Sequence, residues 1–148
     1  MLALHGCRLT SWASVQLLEP LLPELEELYL PGNSLQDLPN LQQELDYQAA
    51  TGITSEPLHV VSGFSSLRLL DISACGLVDW SQVTQFGQLP SLRELVLDCN
   101  ELPSVSPPPT GAEGALPAFF ATLQRFSISS SGLAAWSDID NLSKVREE

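Results

Sequence analysis

Lysine is almost missing from this sequence: Lys144 stands alone beside five arginines and against 18 acidic residues, for a net charge of −12 over 148 residues. So acidic a chain repels phosphate backbones and anionic headgroups, which argues against nucleic acid and membrane surfaces as partners. No stretch approaches the roughly 20 apolar residues of a membrane-spanning helix. The opening Met1-Leu2-Ala3-Leu4-His5 also lacks the basic run that leads a secretory signal. A soluble, intracellular protein is expected. Histidine is confined to His5 and His59, far apart in sequence, and no C-x-x-C pair occurs, so neither a metal nor a cofactor is expected. Cys7, Cys75 and Cys99 cannot make a closed set of disulfides, and they are expected as reduced, structural thiols. There is no glycine-rich phosphate loop, no G-x-S-x-G and no acid or histidine cluster at a spacing that chemistry requires. Neighbouring acids such as Glu26 and Glu27 fall on strand positions, where adjacent side chains face opposite ways. The chain is not expected to be an enzyme.

What the sequence does have is repetition. With Leu4, Leu30, Ile72, Leu97 and Ile128 as origins, Cys7, Asn33, Cys75, Asn100 and Ser131 stand three residues on. Five residues on stand Leu9, Leu35, Leu77, Leu102 and Leu133, a leucine in every copy. Before each origin the apolar residues alternate at a strand period, and after it they space three apart as in a helix. The pattern is L-x-x-L-x-L-x-x-N/C-x-L, that of a leucine-rich repeat. It predicts an α/β solenoid with about five short parallel strands on a concave face, at residues 2–4, 28–30, 70–72, 95–97 and 126–128, and helices or turns on the convex face.

Residues 1–148 are read as one such domain, interrupted by insertions at 40–64 and 106–120. Neither end shows a polar cap, so the chain is expected to be a piece of a longer protein or one that needs a neighbour. A second layer of order lies eight residues past each origin, where Trp12, Leu38, Trp80, Val105 and Trp136 stand. The position before it holds Ser11, Asp37, Asp79, Ser104 and Ala135, mostly helix N-cap types. For the third repeat Gln82 is the expected capping-box partner. All three tryptophans therefore share one position, in alternate repeats, and are expected to be buried. Origin spacings also alternate, short then long, which makes a two-repeat unit.

With the leucines inward, the residues between them form columns across strands about 4.8 Å apart. The middle column reads Ala3, Tyr29, Asp71, Val96 and Ser127. One flanking column reads Glu27, Leu69, Glu94 and Arg125, and the other His5, Pro31, Ser73, Asp98 and Ser129. Arg68, Arg93 and Arg125 are expected close to Glu27 and Glu94. An aromatic side chain among acids and exposed apolar residues suits a folded protein partner. The expected binding residues are Tyr29, Asp71 and Val96 with Glu27, Leu69, Glu94 and Asp98.

The alternation of LxxLxLxxN strands with helices starting S/D-W-x-x-V resembles the leucine-rich region of the tubulin folding cofactor E family. Arg8-Leu9-Thr10-Ser11-Trp12-Ala13-Ser14-Val15, Leu25 to Leu30 with Asn33, Gly76-Leu77-Val78-Asp79-Trp80-Ser81-Gln82-Val83, and Leu92 to Leu95 with Asn100 carry it. The resemblance implies a cytoplasmic, cytoskeleton-associated chaperone that binds α-tubulin, alongside other tubulin cofactors, as the heterodimer is assembled or taken apart. Full-length members usually add a CAP-Gly domain and a ubiquitin-like domain, and neither is in this sequence. The competing reading is a regulatory leucine-rich subunit, of phosphatase- or dynein-associated type, acting as a generic scaffold. Such subunits have more uniform repeats than these.

Overall fold

Alternating apolar residues make strands here because a strand turns successive side chains to opposite faces. The structure is a computed structural model that describes residues 1–35, 51–52, 63–102 and 122–133. β1 (Leu2–Ala3), β2 (Glu27–Tyr29), β3 (Leu69–Asp71), β4 (Glu94–Val96) and β5 (Arg125–Ser127) form one five-stranded sheet in chain order. Every pairing is parallel, with Leu28, Leu70, Leu95 and Phe126 in register and Leu2 beside Leu28. Leu28, Leu70 and Leu95 are fully buried, while the residues on either side of them are half-buried. The sheet is therefore dry on one face and wet on the other.

Each strand from β2 on begins one residue before its expected position. The ladder nonetheless runs on, since Leu30 donates its N–H to Asp71 O at 2.8 Å, Ile72 to Val96 O at 3.0 Å and Leu97 to Ser127 O at 2.8 Å. Parallel neighbours cannot be joined by a tight turn. α1 (Trp12–Gln16) lies between β1 and β2, and α2 (Trp80–Thr84) lies between β3 and β4. α1 stops with Leu17 as its C-cap, and Pro20 falls in the first positions of a separate 3-10 turn, Glu19–Leu21, where its missing N–H costs nothing.

The turn after each strand repeats in its dihedral angles. Two residues past each origin φ is positive: Gly6 +56°, Gly32 +73°, Ala74 +50°, Cys99 +57° and Ser130 +54°. The left-handed conformation reverses the chain out of the sheet, and glycine is its natural occupant. Four residues past the origin φ is positive again in alternate repeats only, at Arg8 (+58°), Gly76 (+72°) and Gly132 (+82°). These are the repeats that carry tryptophan, so the two-repeat unit is written in the backbone as well as in the side chains.

The asparagines join the members of each pair. Asn33 donates through Nδ2 to Leu4 O at 2.8 Å and Leu30 O at 2.7 Å, and its Oδ1 accepts from Leu9 N at 3.1 Å. Asn100 donates to Ile72 O at 3.0 Å and Leu97 O at 2.9 Å, and accepts from Cys75 N at 3.0 Å and Leu77 N at 3.2 Å. Each amide thus satisfies backbone groups of its own repeat and of the one before it. The left-handed residues Arg8 and Gly76 sit just ahead of Leu9 and Leu77, whose N–H groups these amides receive.

Cys75 fills the asparagine position, its Sγ donating to Leu30 O at 3.2 Å. Burial pushes its thiol up to about 11, so it stays protonated at neutral pH. Cys7 departs from the expectation of a structural thiol. It is exposed, and its Sγ reaches only its own neighbour's carbonyl, His5 O, at 3.5 Å. Its repeat holds β1, the edge strand of the described sheet, so among the described residues no further strand carbonyl meets the thiol. Cys99 is exposed as well.

Trp12 and Trp80, each 3% exposed, sit in one core cluster with Val15, Val83, Phe64, Phe86 and the strand leucines. Trp12 meets Phe86 edge-on with ring centroids 5.0 Å apart, and Trp80 meets Phe126 in the same way at 6.1 Å. Ser11 Oγ caps α1 by accepting from Ala13 N at 3.1 Å. Gln82 Oε1 accepts from Val78 N at 3.1 Å and Asp79 N at 3.2 Å, the capping contact expected of it. Trp136 and the insertion at 106–120 lie outside the described residues, as does the insertion at 40–64 apart from Thr51, Gly52, Gly63 and Phe64.

Candidate functional site on the wet sheet face

The seven residues singled out in the sequence fall on one surface. Glu27, Leu69 and Glu94 are register partners, continued by Arg125, and Tyr29, Asp71 and Val96 are partners in the next column, continued by Ser127. Asp98 lies one column further on, where Ala74 N donates to its carbonyl at 2.9 Å and Cys99 N donates to Ser129 O at 2.8 Å. All seven are half-buried.

The acids on this face are held in place. Asp71 Oδ1 accepts from Ser73 N at 3.0 Å and Ser73 Oγ at 2.6 Å. Asp98 Oδ1 accepts from Ser127 Oγ and from Ser129 N, both at 2.7 Å. Those two bonds to the ionised form hold the Asp98 carboxyl below the usual carboxylate range. Tyr29 Oη donates to Glu27 Oε2 at 3.4 Å. Partial burial pushes the phenol above its ordinary value, and the nearby charges of Glu27, Glu94 and Asp71 add to the effect. A neutral phenol ringed by three carboxylates across β2, β3 and β4 marks the centre of the face.

Ser127 and Ser129, which the repeat places in the columns of this face but which were not among the expected binding residues, belong to the site through their bonds to Asp98. The available signal was an aspartate, Asp98, with one serine in its own column and another in the adjacent middle column. The arginines differ from expectation in one pairing. Arg125 meets Glu94 at 3.4 Å as anticipated, but Arg68 meets Glu26 at 3.8 Å rather than Glu27, which turns to Tyr29. Glu26 also corrects the reading that paired acids face opposite ways. Leu25 and Leu28 take the two inward positions around it, so Glu26 and Glu27 both point outward.

Among the described residues no group of three or more histidine, cysteine or acidic side chains is placed to hold a metal ion. Among them too, no helix is long and apolar enough to cross a membrane. The fold and the face define an α/β protein of repeated strand and turn units that displays acids, an aromatic ring and apolar side chains on one open sheet surface.

The chain is similar to a human tubulin-specific chaperone cofactor E-like protein, 34% identical over 133 residues, which is 89% of this chain and 26% of that protein. It is also similar to the tubulin-folding cofactor E of Arabidopsis thaliana, 34% identical over 103 residues, 70% of this chain and 17% of the relative. Mouse tubulin-specific chaperone E is 29% identical over 136 residues, 92% of this chain and 22% of its own length. The chain is thus a relative of the tubulin folding cofactor E proteins and spans about a quarter or less of the length of those it matches. No family model matches it, and no solved structure matches it.

Proposed function

We propose that this chain is the protein-binding leucine-rich repeat module of a tubulin-folding chaperone. In this reading it is a solenoid whose wet sheet face is the concave surface, and that face receives α-tubulin as the heterodimer is assembled or taken apart. The observation that carries the reading is the convergence of Tyr29, Asp71, Val96, Glu27, Leu69, Glu94 and Asp98 on one face of a chain whose relatives bear tubulin-chaperone names. A partly buried aromatic anchor with charged neighbours is the composition of many interface centres and rims. The work is binding rather than catalysis and needs no cofactor. It takes place in the cytoplasm at the cytoskeleton, with other tubulin cofactors as further partners.

The acidic residues of the face pair with basic patches on the folded body of the partner, so the interaction is partly electrostatic. The chain, immobilised and incubated with purified tubulin, is expected to retain α-tubulin at about 0.05 M salt and to release it progressively as the Debye length shrinks toward 1 M. No retention at any salt concentration would reject the tubulin reading.

A further inference from the structure

Three of the six lysine and arginine side chains of this chain line one open groove of about 290 Å³ at the leading ends of the strands. Arg68 and Arg93 stand just before β3 and β4 at matching positions. The carbonyl of Arg68 accepts from Arg93 N at 2.8 Å and Glu94 N at 2.9 Å, just as that of Glu26 accepts from Arg68 N at 2.7 Å and Leu69 N at 3.0 Å. Two guanidinium groups therefore leave adjacent strands, whose backbones lie about 4.8 Å apart. Like charges placed so repel. Arg68 leans to Glu26 and Arg125 to Glu94. Glu27, the remaining acid of the groove, is engaged by the Tyr29 hydroxyl. Arg93, exposed, has no ion pair among the described residues.

We infer that this groove is a carboxylate-accepting subsite, with Arg93 as the pairing residue and an acidic peptide segment of a protein partner as its occupant. A guanidinium presents two parallel N–H donors that match the two oxygens of a carboxylate. A carboxylate bound beside Arg93 also relieves the repulsion between Arg93 and Arg68. A phosphate carries up to about two negative charges and meets three opposing glutamates, Glu26, Glu27 and Glu94, at the rim. A singly charged side chain on a peptide meets less opposition, and half-buried Leu69 gives its stem an apolar wall. The arginines of the face thus gather at its leading edge beside Glu26, Glu27 and Glu94, while Asp71 lies at its centre and Asp98 toward the trailing edge. The subsite does not depend on the partner being tubulin.

The test is a low-salt NMR titration of the whole isotope-labelled chain with acetyl-Ala-Glu-Ala-Glu-Ala-amide, following the arginine Nε–Hε signals. The glutamine version of the peptide and inorganic phosphate serve as separate titrants, and Arg93→Gln as the variant. Saturating shifts of the Arg68, Arg93 and Arg125 signals are expected with the glutamate peptide alone. They are expected to need at least about fivefold more peptide in Arg93→Gln, where the bidentate charge-assisted pair is lost, with the backbone spectrum reporting an intact fold. Equal shifts from the glutamine peptide, undiminished binding by Arg93→Gln, or shifts centred elsewhere on the chain would overturn the subsite. Phosphate moving the same signals at the same concentration would overturn the choice of a peptide occupant. Because the probe contains no tubulin, its failure and the failure of the tubulin reading are separate results.

Discussion

Replacing Trp80 with alanine is expected to lower the free energy of unfolding by about 3–5 kcal/mol, as large aromatic truncations in cores do. The ring is 3% exposed, stands at the first position of α2 and packs edge-on against Phe126 of β5. Its removal therefore opens a cavity between a helix and the sheet it covers. The cost falls on packing rather than on the indole N–H, because among the described residues Trp80 Nε1 is buried without a hydrogen-bond partner. A buried donor without an acceptor is a burden to the folded state, and removing it recovers part of what the smaller ring loses. Trp80→Phe is thus expected to cost far less than Trp80→Ala, below about 1.5 kcal/mol. Urea denaturation of the two variants measures both values. Equal midpoints for Trp80→Ala and the parent chain would mean that the ring does not support the core.

The second large effect is expected at Asn100, where Asn100→Ala should cost about 2–4 kcal/mol. Four hydrogen bonds end on this one buried amide, two from the N–H groups of Cys75 and Leu77 and two to the carbonyls of Ile72 and Leu97. Alanine leaves those buried backbone groups unpaired, and each unmet group carries its own desolvation penalty. Asn100→Asp separates the two halves of the role. It keeps acceptors for Cys75 and Leu77 but turns an oxygen toward the carbonyls of Ile72 and Leu97, so it is expected to destabilise as well. Denaturant titration again measures the loss, and a change under about 0.5 kcal/mol in Asn100→Ala would contradict the joining role given to the asparagines.

The leucine rows were legible because inward and outward positions alternate with a fixed period, and a single slip would bury Glu27 or expose Leu28. That period is enough to place Tyr29, Asp71 and Val96 side by side. Finer features depend on direction and neighbourhood, which spacing does not encode. Arg68 chooses Glu26 because Tyr29 has already drawn Glu27, a three-body arrangement that no repeat pattern carries. Cys7 occupies the same repeat position as Cys75, yet one is exposed and the other buried, because among the described residues only Cys75 follows a strand whose carbonyl, Leu30 O, its thiol reaches. The second left-handed turn residue is glycine at Gly76 and Gly132 but arginine at Arg8, so the residue type hides the shared backbone.

The claim that the wet sheet face receives the partner is tested most directly by capture of purified tubulin on a chain carrying Tyr29→Ala together with Asp71→Lys. The two positions are cross-strand partners at the centre of the face, and both are half-buried, so the pair removes the aromatic anchor and inverts a charge without touching the leucine core. Circular dichroism and the urea midpoint establish that the variant remains folded. The account expects tubulin capture to fall at least about tenfold, the equivalent of roughly 1.4 kcal/mol of binding free energy. Undiminished capture by the folded variant would contradict it and move the binding surface off this face.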